Sequence, residues 1–297
     1  MTTVHRFGGN WTEEKLRRLK KYLSAYMTIF RGNPWASRYT TYYVDAFAGT
    51  GYRAASGEIE VTTLALFDEQ DLVDVEKFFT GSAQIALDSE PSFDRYLFIE
   101  QNPKFVNELE QLRMTHPQKA HRIEIIQGDA NAILRDWCSR MNWQHNRAVV
   151  FLDPYGMAVN WATVEALEQT KAIDLWILLP VGQAINRLLT RRRIPEGAWA
   201  EKLTDFFGTE DWKNEFYQPR LQESLFEVDE EMEKTATFES IGNYFSARLE
   251  TVFEQVAGTS LALLNSKNVP IFLLFFASAN PRGAPTAVKI AEDILGR

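Results

Sequence analysis

Two short stretches of this chain place chemically capable residues beside sharp turns. Asp153-Pro154-Tyr155-Gly156 directly follows the apolar run AVVFL. The lone pair of an aromatic amine is delocalised and weakly nucleophilic. A carboxylate such as Asp153, with a backbone carbonyl of the turn, can accept the amine protons and let the nitrogen pyramidalise. Pro154 locks the turn, and the Tyr155 ring can stack on a flipped base. The same four residues also suit a plain strand-end turn punctuated by Pro and Gly. The second stretch, Asp45-Ala46-Phe47-Ala48-Gly49-Thr50-Gly51, follows the β-branched and aromatic run TTYYV. Gly49 and Gly51 permit positive φ and leave no Cβ to block a ligand. At the carboxyl edge of a parallel sheet, such a turn lies where ligands bind.

The pattern D-x-F-x-G-x-G resembles the first motif of S-adenosylmethionine-dependent methyltransferases. A dinucleotide fingerprint would place a further glycine at position 54, which is Ala54. In both folds an acid at the end of the second strand accepts hydrogen bonds from ribose hydroxyls. Glu100, followed by Gln101, ends the apolar run RYLFIE and fits that place. It lies well beyond the roughly 20-residue spacing of the usual fingerprint, which an insertion over 52–80 explains. Asp129, followed by Ala130, ends a third run, IIQGDA. In such a fold an acid there meets the adenine amine. Asp129 or Asn131 serves equally as the N-cap of the next helix, and the two roles are compatible. Asp153-Pro154-Tyr155-Gly156 resembles the Asp/Asn-Pro-Pro-Tyr tetrapeptide of methyltransferases that modify exocyclic base amines. It is closer to the Asp-Pro-Tyr-Gly of tRNA guanine-amine dimethyltransferases.

The elements that position these residues are legible as alternating patterns. Leu16, Leu19, Leu23, Tyr26 and Met27 recur at helical spacing behind Thr12, a candidate N-cap, and Gly32-Asn33-Pro34 ends the helix. Thr40–Ala48 reads as a buried strand, and 83–87 as part of a helix entered at Gly81-Ser82. Strands over 95–100, 122–127, 147–152 and 174–179 then alternate with helices over 103–113, 131–141 and 161–169. That order implies a mostly parallel sheet covered on both faces. A helix over 245–257 running into a strand, a strand over 269–277 and a helix over 287–295 complete the expectation. The fold class is α/β, a Rossmann-like class I methyltransferase sheet with an N-terminal helical extension and a helical insertion. The expected domains are a helical extension over 1–40, the core over 41–195, an acidic helical insertion over 196–245, and completion of the sheet over 246–297.

The 297 residues suit one large domain or two modest ones, and 45% hydrophobic with 24% charged residues excludes wholesale disorder. A single cysteine, Cys138, excludes a disulfide framework or a cysteine-rich zinc site. Its place on a helix between Trp137 and Ser139 indicates packing. Four scattered histidines argue against a histidine metal cage. No apolar run approaches a membrane span and the first residues hold no apolar signal core, so a soluble, cytoplasmic setting is expected. Net charge is −8, yet the acids concentrate in 196–233, with 12 acids and three bases, leaving the remainder about neutral. Basic residues gather in the N-terminal helix and at Arg187, Arg191, Arg192 and Arg193. These are candidate phosphate contacts or simply solvated faces.

With these motifs in place, the chain resembles the three-Cys-motif partner proteins (TcmP) from about Lys15 to Ala291. VDAFAGTG and FLDPYG are the specific part, supported by KLRRLKKYLSAY, GSAQIAL, YLFIEQNP, DLWILLP and VPIFLLFFASANP. The resemblance implies a Rossmann-like fold, S-adenosyl-L-methionine as cofactor, and a separate partner carrying three cysteines and related to radical adenosylmethionine proteins. It also implies a bacterial, phage or mobile-element context. Two functions remain open on these grounds: a methyltransferase acting on a nucleic-acid base amine, or a catalytically silent scaffold for that partner. An oxidoreductase is a distant third.

Overall fold

A computed structural model describes residues 10–48, 81–154, 156–220, 231–264 and 268–296. Gly49, Thr50, Gly51, the expected insertion over 52–80 and Tyr155 lie outside the described residues. The first element is helix α1 (Asn10–Gly32). Thr12 therefore lies within the helix and is not its N-cap. On α1, Leu19, Tyr22, Leu23, Tyr26 and Met27 are buried, the stripe that the spacing predicts.

Strand β1 (Thr40–Asp45) follows, then helix α2 over 81–88, β2 (Arg95–Glu100), α3 (Pro103–Thr115) and β3 (Ile123–Gln127). Helix α4 (Ala130–Arg140), β4 (Asn146–Leu152), α5 (Trp161–Gln169) and β5 (Ile173–Leu179) continue the alternation. After the last of these come a π-helical turn (Val181–Ile185), α6 (Ala198–Phe207) and α7 (Trp212–Phe216). The chain ends with β6 (Tyr217–Arg220), β7 (Glu231–Lys234), α8 (Phe238–Glu250), β8 (Gln255–Val256), β9 (Leu261–Leu264), β10 (Pro270–Ser278) and α9 (Ala284–Leu295).

Among the described residues the main sheet has eight strands in the order β3-β2-β1-β4-β5-β10-β8, with β9 also paired to β10. The first five are parallel, and β10 runs antiparallel to β5 and to both β8 and β9. Strands β8 and β9 are two pieces of one edge strand. Residues 257–260 bulge between them, opposite only Phe275 and Phe276. Five parallel strands reversing at the first one, then closed by an antiparallel hairpin, make the Rossmann-like sheet of class I methyltransferases.

The central strands bury both faces, which is why their sequences are continuous apolar runs. Val44, Ala148, Val150 and Leu152 join one core with α5, α6 and α8. Tyr43, Val149, Phe151 and Trp176 join the other, under α1 and α9.

Two further expectations need correction. Strand β1 stops at Asp45 and not at Ala48. The Ala46 N–H turns to the Phe151 carbonyl at 3.2 Å and the Ala48 N–H to the Ile99 carbonyl at 3.1 Å, so the chain folds over the sheet edge. The acidic segment is also not wholly helical. Strands β6 and β7 form an antiparallel ribbon that pairs Tyr217 with Lys234 and Arg220 with Glu231. Pro219 cannot continue a helix, and the Lys234 N–H is anchored on the Arg191 carbonyl at 3.0 Å, a tertiary contact that outweighs the helix preference of EEMEK. Among the described residues no helix is long and apolar enough to cross a membrane.

Candidate active site

The carboxyl ends of β1, β2 and β4 lie side by side because β1 is paired in parallel with both neighbours. Asp45 stands level with Phe98 on one side and Phe151 on the other. The two turn hydrogen bonds at Ala46 and Ala48 draw the residues after β1 across the same edge. Asp45, Glu100 and Asp153 therefore end three adjacent strands, and all three are buried. Pro154 is also buried, while Phe47 is half-buried and Ala48 buried.

Asp45 is 1% exposed. Its Oδ2 accepts hydrogen bonds from Ser82 Oγ at 2.6 Å and from the Tyr43 hydroxyl at 3.3 Å. Its Oδ1 has no hydrogen-bond partner among the described residues, an uncommon state for a buried carboxylate oxygen. Burial pushes the Asp45 carboxyl up to about 7, and the nearby Asp153 charge adds to the rise. The Ser82 bond, the Phe47 backbone amide and the Tyr43 hydroxyl oppose it. Asp45 and Asp153 are close enough for the charge of one to act on the other. Ser82 was not identifiable as a partner from spacing, because it lies on α2, far along the chain from β1.

Glu100 Oε1 accepts the Asn102 N–H at 2.6 Å, and the Glu100 carbonyl accepts the Gly128 N–H at 3.0 Å. The carboxylate is thus fixed at the carboxyl end of β2. Gln101 is exposed beside it.

Asp129 is exposed, and its Oδ1 caps α4 by accepting the Ala132 N–H at 2.7 Å. Ala130 is buried at the start of that helix. The capping role is therefore filled by Asp129 and not by Asn131. Asn131 does something the sequence did not indicate. Its Nδ2 donates to the Ala158 carbonyl at 2.7 Å, and its Oδ1 accepts from the Asn160 N–H at 2.9 Å and from Thr163 Oγ1 at 2.8 Å. Asn131 thereby ties the segment after Asp153-Pro154 to α4. Asn131→Ala is expected to lower unfolding stability by on the order of 3 kcal/mol, since it strands several buried polar groups. Urea unfolding checks this, and a loss within experimental error would show that water replaces the side chain.

The basic stretch after β5 is placed by close packing. Any Cβ on Gly182 would meet the Pro270 carbonyl oxygen at 2.2 Å, so the π-helical turn presses against β10 only because this residue is glycine. Arg187 follows that turn, with Nη1 buried and without a hydrogen-bond partner among the described residues. Burial holds its pKa below the usual arginine range. Arg191, Arg192 and Arg193 are exposed. Lys234 Nζ reaches the Asn186 carbonyl at 2.8 Å and its Oδ1 at 2.6 Å, which binds the ribbon to this segment. Burial, with Arg191 nearby, lowers Lys234 to about 8. On α1, Arg18 is buried and donates to the Ile294 carbonyl, and Arg31 pairs with Asp94 at 2.7 Å. Those two cations serve packing, while Arg17, Lys20 and Lys21 remain exposed. Cys138 is buried and its thiol is pushed up to about 12, so it stays protonated.

No family model and no curated protein matches the chain. Several solved structures are similar to it. A Legionella pneumophila protein, LPL1258, is 13% identical over 97% of this chain and 92% of its own, with a TM-score of 0.46. The methyltransferase domain of bacterial CtHen1 is 9% identical over 87% of this chain and 98% of its own, with a TM-score of 0.33. A conserved hypothetical protein of Streptococcus pyogenes is 16% identical over 49% of this chain and 71% of its own, with a TM-score of 0.31. The strand order, and not these likenesses, defines the fold as methyltransferase-like.

Proposed function

We propose that this protein is an S-adenosyl-L-methionine-dependent methyltransferase acting on an exocyclic amine of a nucleic-acid base, in concert with a three-Cys-motif partner protein. The observation that carries the reading is the meeting of Asp45, Glu100 and Asp153 at the carboxyl ends of β1, β2 and β4. The acids present fit the cofactor. Glu100, held by the Asn102 amide, would accept from ribose hydroxyls, and Asp45 Oδ1, which has no hydrogen-bond partner among the described residues, is a buried acceptor at the end of β1. Asp129 and Ala130 would border the adenine. When bound, the cofactor supplies an electrophilic methyl group whose S–C bond breaks as the amine nitrogen forms N–C.

Asp153 and the Pro154 carbonyl would hold the amine protons and align the nitrogen lone pair. Asp153 then takes the proton that the nitrogen loses and returns it to water. Tyr155 would stack on the base. Arg187 and Arg191–Arg193 would meet phosphates beside this edge, with α1 offering Arg17, Lys20 and Lys21 as further contacts.

Glu100→Ala is expected to weaken S-adenosylmethionine by about 1–3 kcal/mol, roughly 5- to 150-fold, the loss of a hydrogen bond to a charged group. Calorimetric titration measures it. An unchanged Kd would reduce Glu100 to a strand terminus that holds only the Asn102 amide.

A second reading draws on two observations. Asp129 already spends an oxygen on its helix cap, and Ser82 and Tyr43 cover one Asp45 oxygen. A silent scaffold for the three-Cys protein would look like this too. Transfer of a tritiated methyl group to total RNA, genomic DNA and lysate protein, with and without the partner, separates the two. The methyltransferase reading requires label in nucleic acid that survives as an N-methylated base after hydrolysis. Label in no fraction under either condition would leave the scaffold.

A further inference from the structure

The opposite edge of the sheet holds a cleft of about 800 Å³, within the size of small-molecule sites. It lies between the end of α1, the starts of β1, β4 and β5, and the turn from β10 into α9. Its rim carries Trp35, 73% exposed, an unusual state for the largest apolar side chain. Arg38 lies over that ring with 4.5 Å between guanidinium carbon and ring centroid. Arg147 lies 3.8 Å over Tyr39, and its Nη1 is fixed by the Trp143 and Asn146 carbonyls, both at 2.7 Å.

Arg282 lines the same cleft, and neither it nor Arg38 has an ion-pair partner among the described residues. Lys171 is different, since it is neutralised by Glu168. At the floor is one buried acid, Asp174. Its Oδ2 accepts from the Tyr22 hydroxyl at 2.8 Å and its Oδ1 from Ser278 Oγ at 2.6 Å. Each carboxylate oxygen keeps a further lone pair.

An exposed aromatic face, unpaired cations at the rim and a fixed acceptor at the floor match one kind of ligand. We propose that this cleft binds a nucleotide unit, free or within a single strand. The base stacks on Trp35, the phosphate meets Arg38 and Arg282, and a base amino group faces Asp174. The site shares no residue with the carboxyl-edge acids and does not depend on methyl transfer. A nucleotide is favoured over a protein segment because the concavity is of small-ligand size and its rim arginines, Arg38 and Arg282, lack carboxylate partners among the described residues.

The test is calorimetry on the full chain with each nucleoside monophosphate and with a short single-stranded RNA. Saturating S-adenosylhomocysteine keeps adenine nucleotides out of the carboxyl-edge site. Binding is expected under that condition. Trp35→Ala should weaken it about 5- to 150-fold, the range for a lost base–aromatic stack, and Trp35→Phe should restore most of it. Arg282→Gln should weaken the RNA and lower its salt slope by about one unit. Both side chains are exposed, so Tm should not move. Much tighter binding of RNA than of monophosphates makes a strand the source, and equal binding makes it a free nucleotide; either supports the proposal. No binding of any probe at millimolar concentration would overturn it. So would binding that neither Trp35→Ala nor Arg282→Gln changes. Loss of the three-Cys protein in Trp35→Ala, with no nucleotide bound by wild type, would also overturn it and give the cleft to a protein.

Discussion

Asp153→Ala should lose methyl transfer by about 100-fold or more while S-adenosylmethionine affinity stays near wild type, the scale expected when a positioned proton acceptor is removed. Asp153 directly follows β4 beside Asp45, and in the proposed site it faces the acceptor, so the cofactor contacts proposed for Glu100 should be untouched. Asp153→Asn should keep more activity than the alanine variant. Its amide carbonyl still accepts a hydrogen bond from the amine, although it cannot take the proton. The substitution also has a local electrostatic effect. Asp153 is one of the groups that raise Asp45, so its removal should bring the Asp45 carboxyl down from about 7. Single-turnover methyl transfer, cofactor titration and melting on the same variants check all of this. A lower Tm and weaker partner binding, with no transfer in wild type to lose, would mark Asp153 as a structural turn residue.

The second large effect is a pH-dependent gain in stability from Asp45→Asn. In the folded chain Asp45 titrates at about 7, against 3.8 for an unperturbed aspartate, mainly because it is buried. The folded state therefore holds a proton that the unfolded state releases earlier. The stability contributed by Asp45 is complete below about pH 4 and is lost as pH rises through about 7. Asparagine does not titrate, and its carbonyl still accepts from Ser82. The variant should gain on wild type from pH 5 to pH 8 by about 2–3 kcal/mol, because part of the shift between 3.8 and about 7 is already lost by pH 5. Asp174, raised to about 6 chiefly by burial, has the same sign of slope in both proteins and drops out of the difference. Urea unfolding at the two pH values measures it. A difference between variant and wild type that is the same at both would show that Asp45 titrates normally.

Much of this architecture is legible in the sequence because each element carries its own signal. RYLFIE and DLWILL are apolar throughout since both faces of the sheet are covered, and Leu19, Leu23, Tyr26 and Met27 repeat at helical spacing since one stripe of α1 is buried. Strand ends followed by acids mark the carboxyl edge, so Asp45, Glu100 and Asp153 are found without coordinates. Groups that act through tertiary contacts leave no such trace. Ser82 reads as an ordinary helix start until α2 brings it onto Asp45. Asn131 reads as one of two possible caps until its amide is seen holding Ala158, Asn160 and Thr163. The Tyr22–Asp174–Ser278 network joins α1, β5 and β10, three elements far apart in the chain. The ribbon of β6 and β7 was hidden for a related reason. Charged strands on a solvated edge lack the apolar alternation that announces a buried strand.

The most direct test of the central claim is calorimetric titration of the folded protein with S-adenosylmethionine, S-adenosylhomocysteine and NAD, alone and with the three-Cys protein added. The account predicts one site per chain that takes either sulfur compound, with the two competing, and that does not take NAD. Absence of heat with both sulfur compounds, in the presence of the partner as well as without it, would contradict the assignment of the carboxyl-edge acids to a methyl donor.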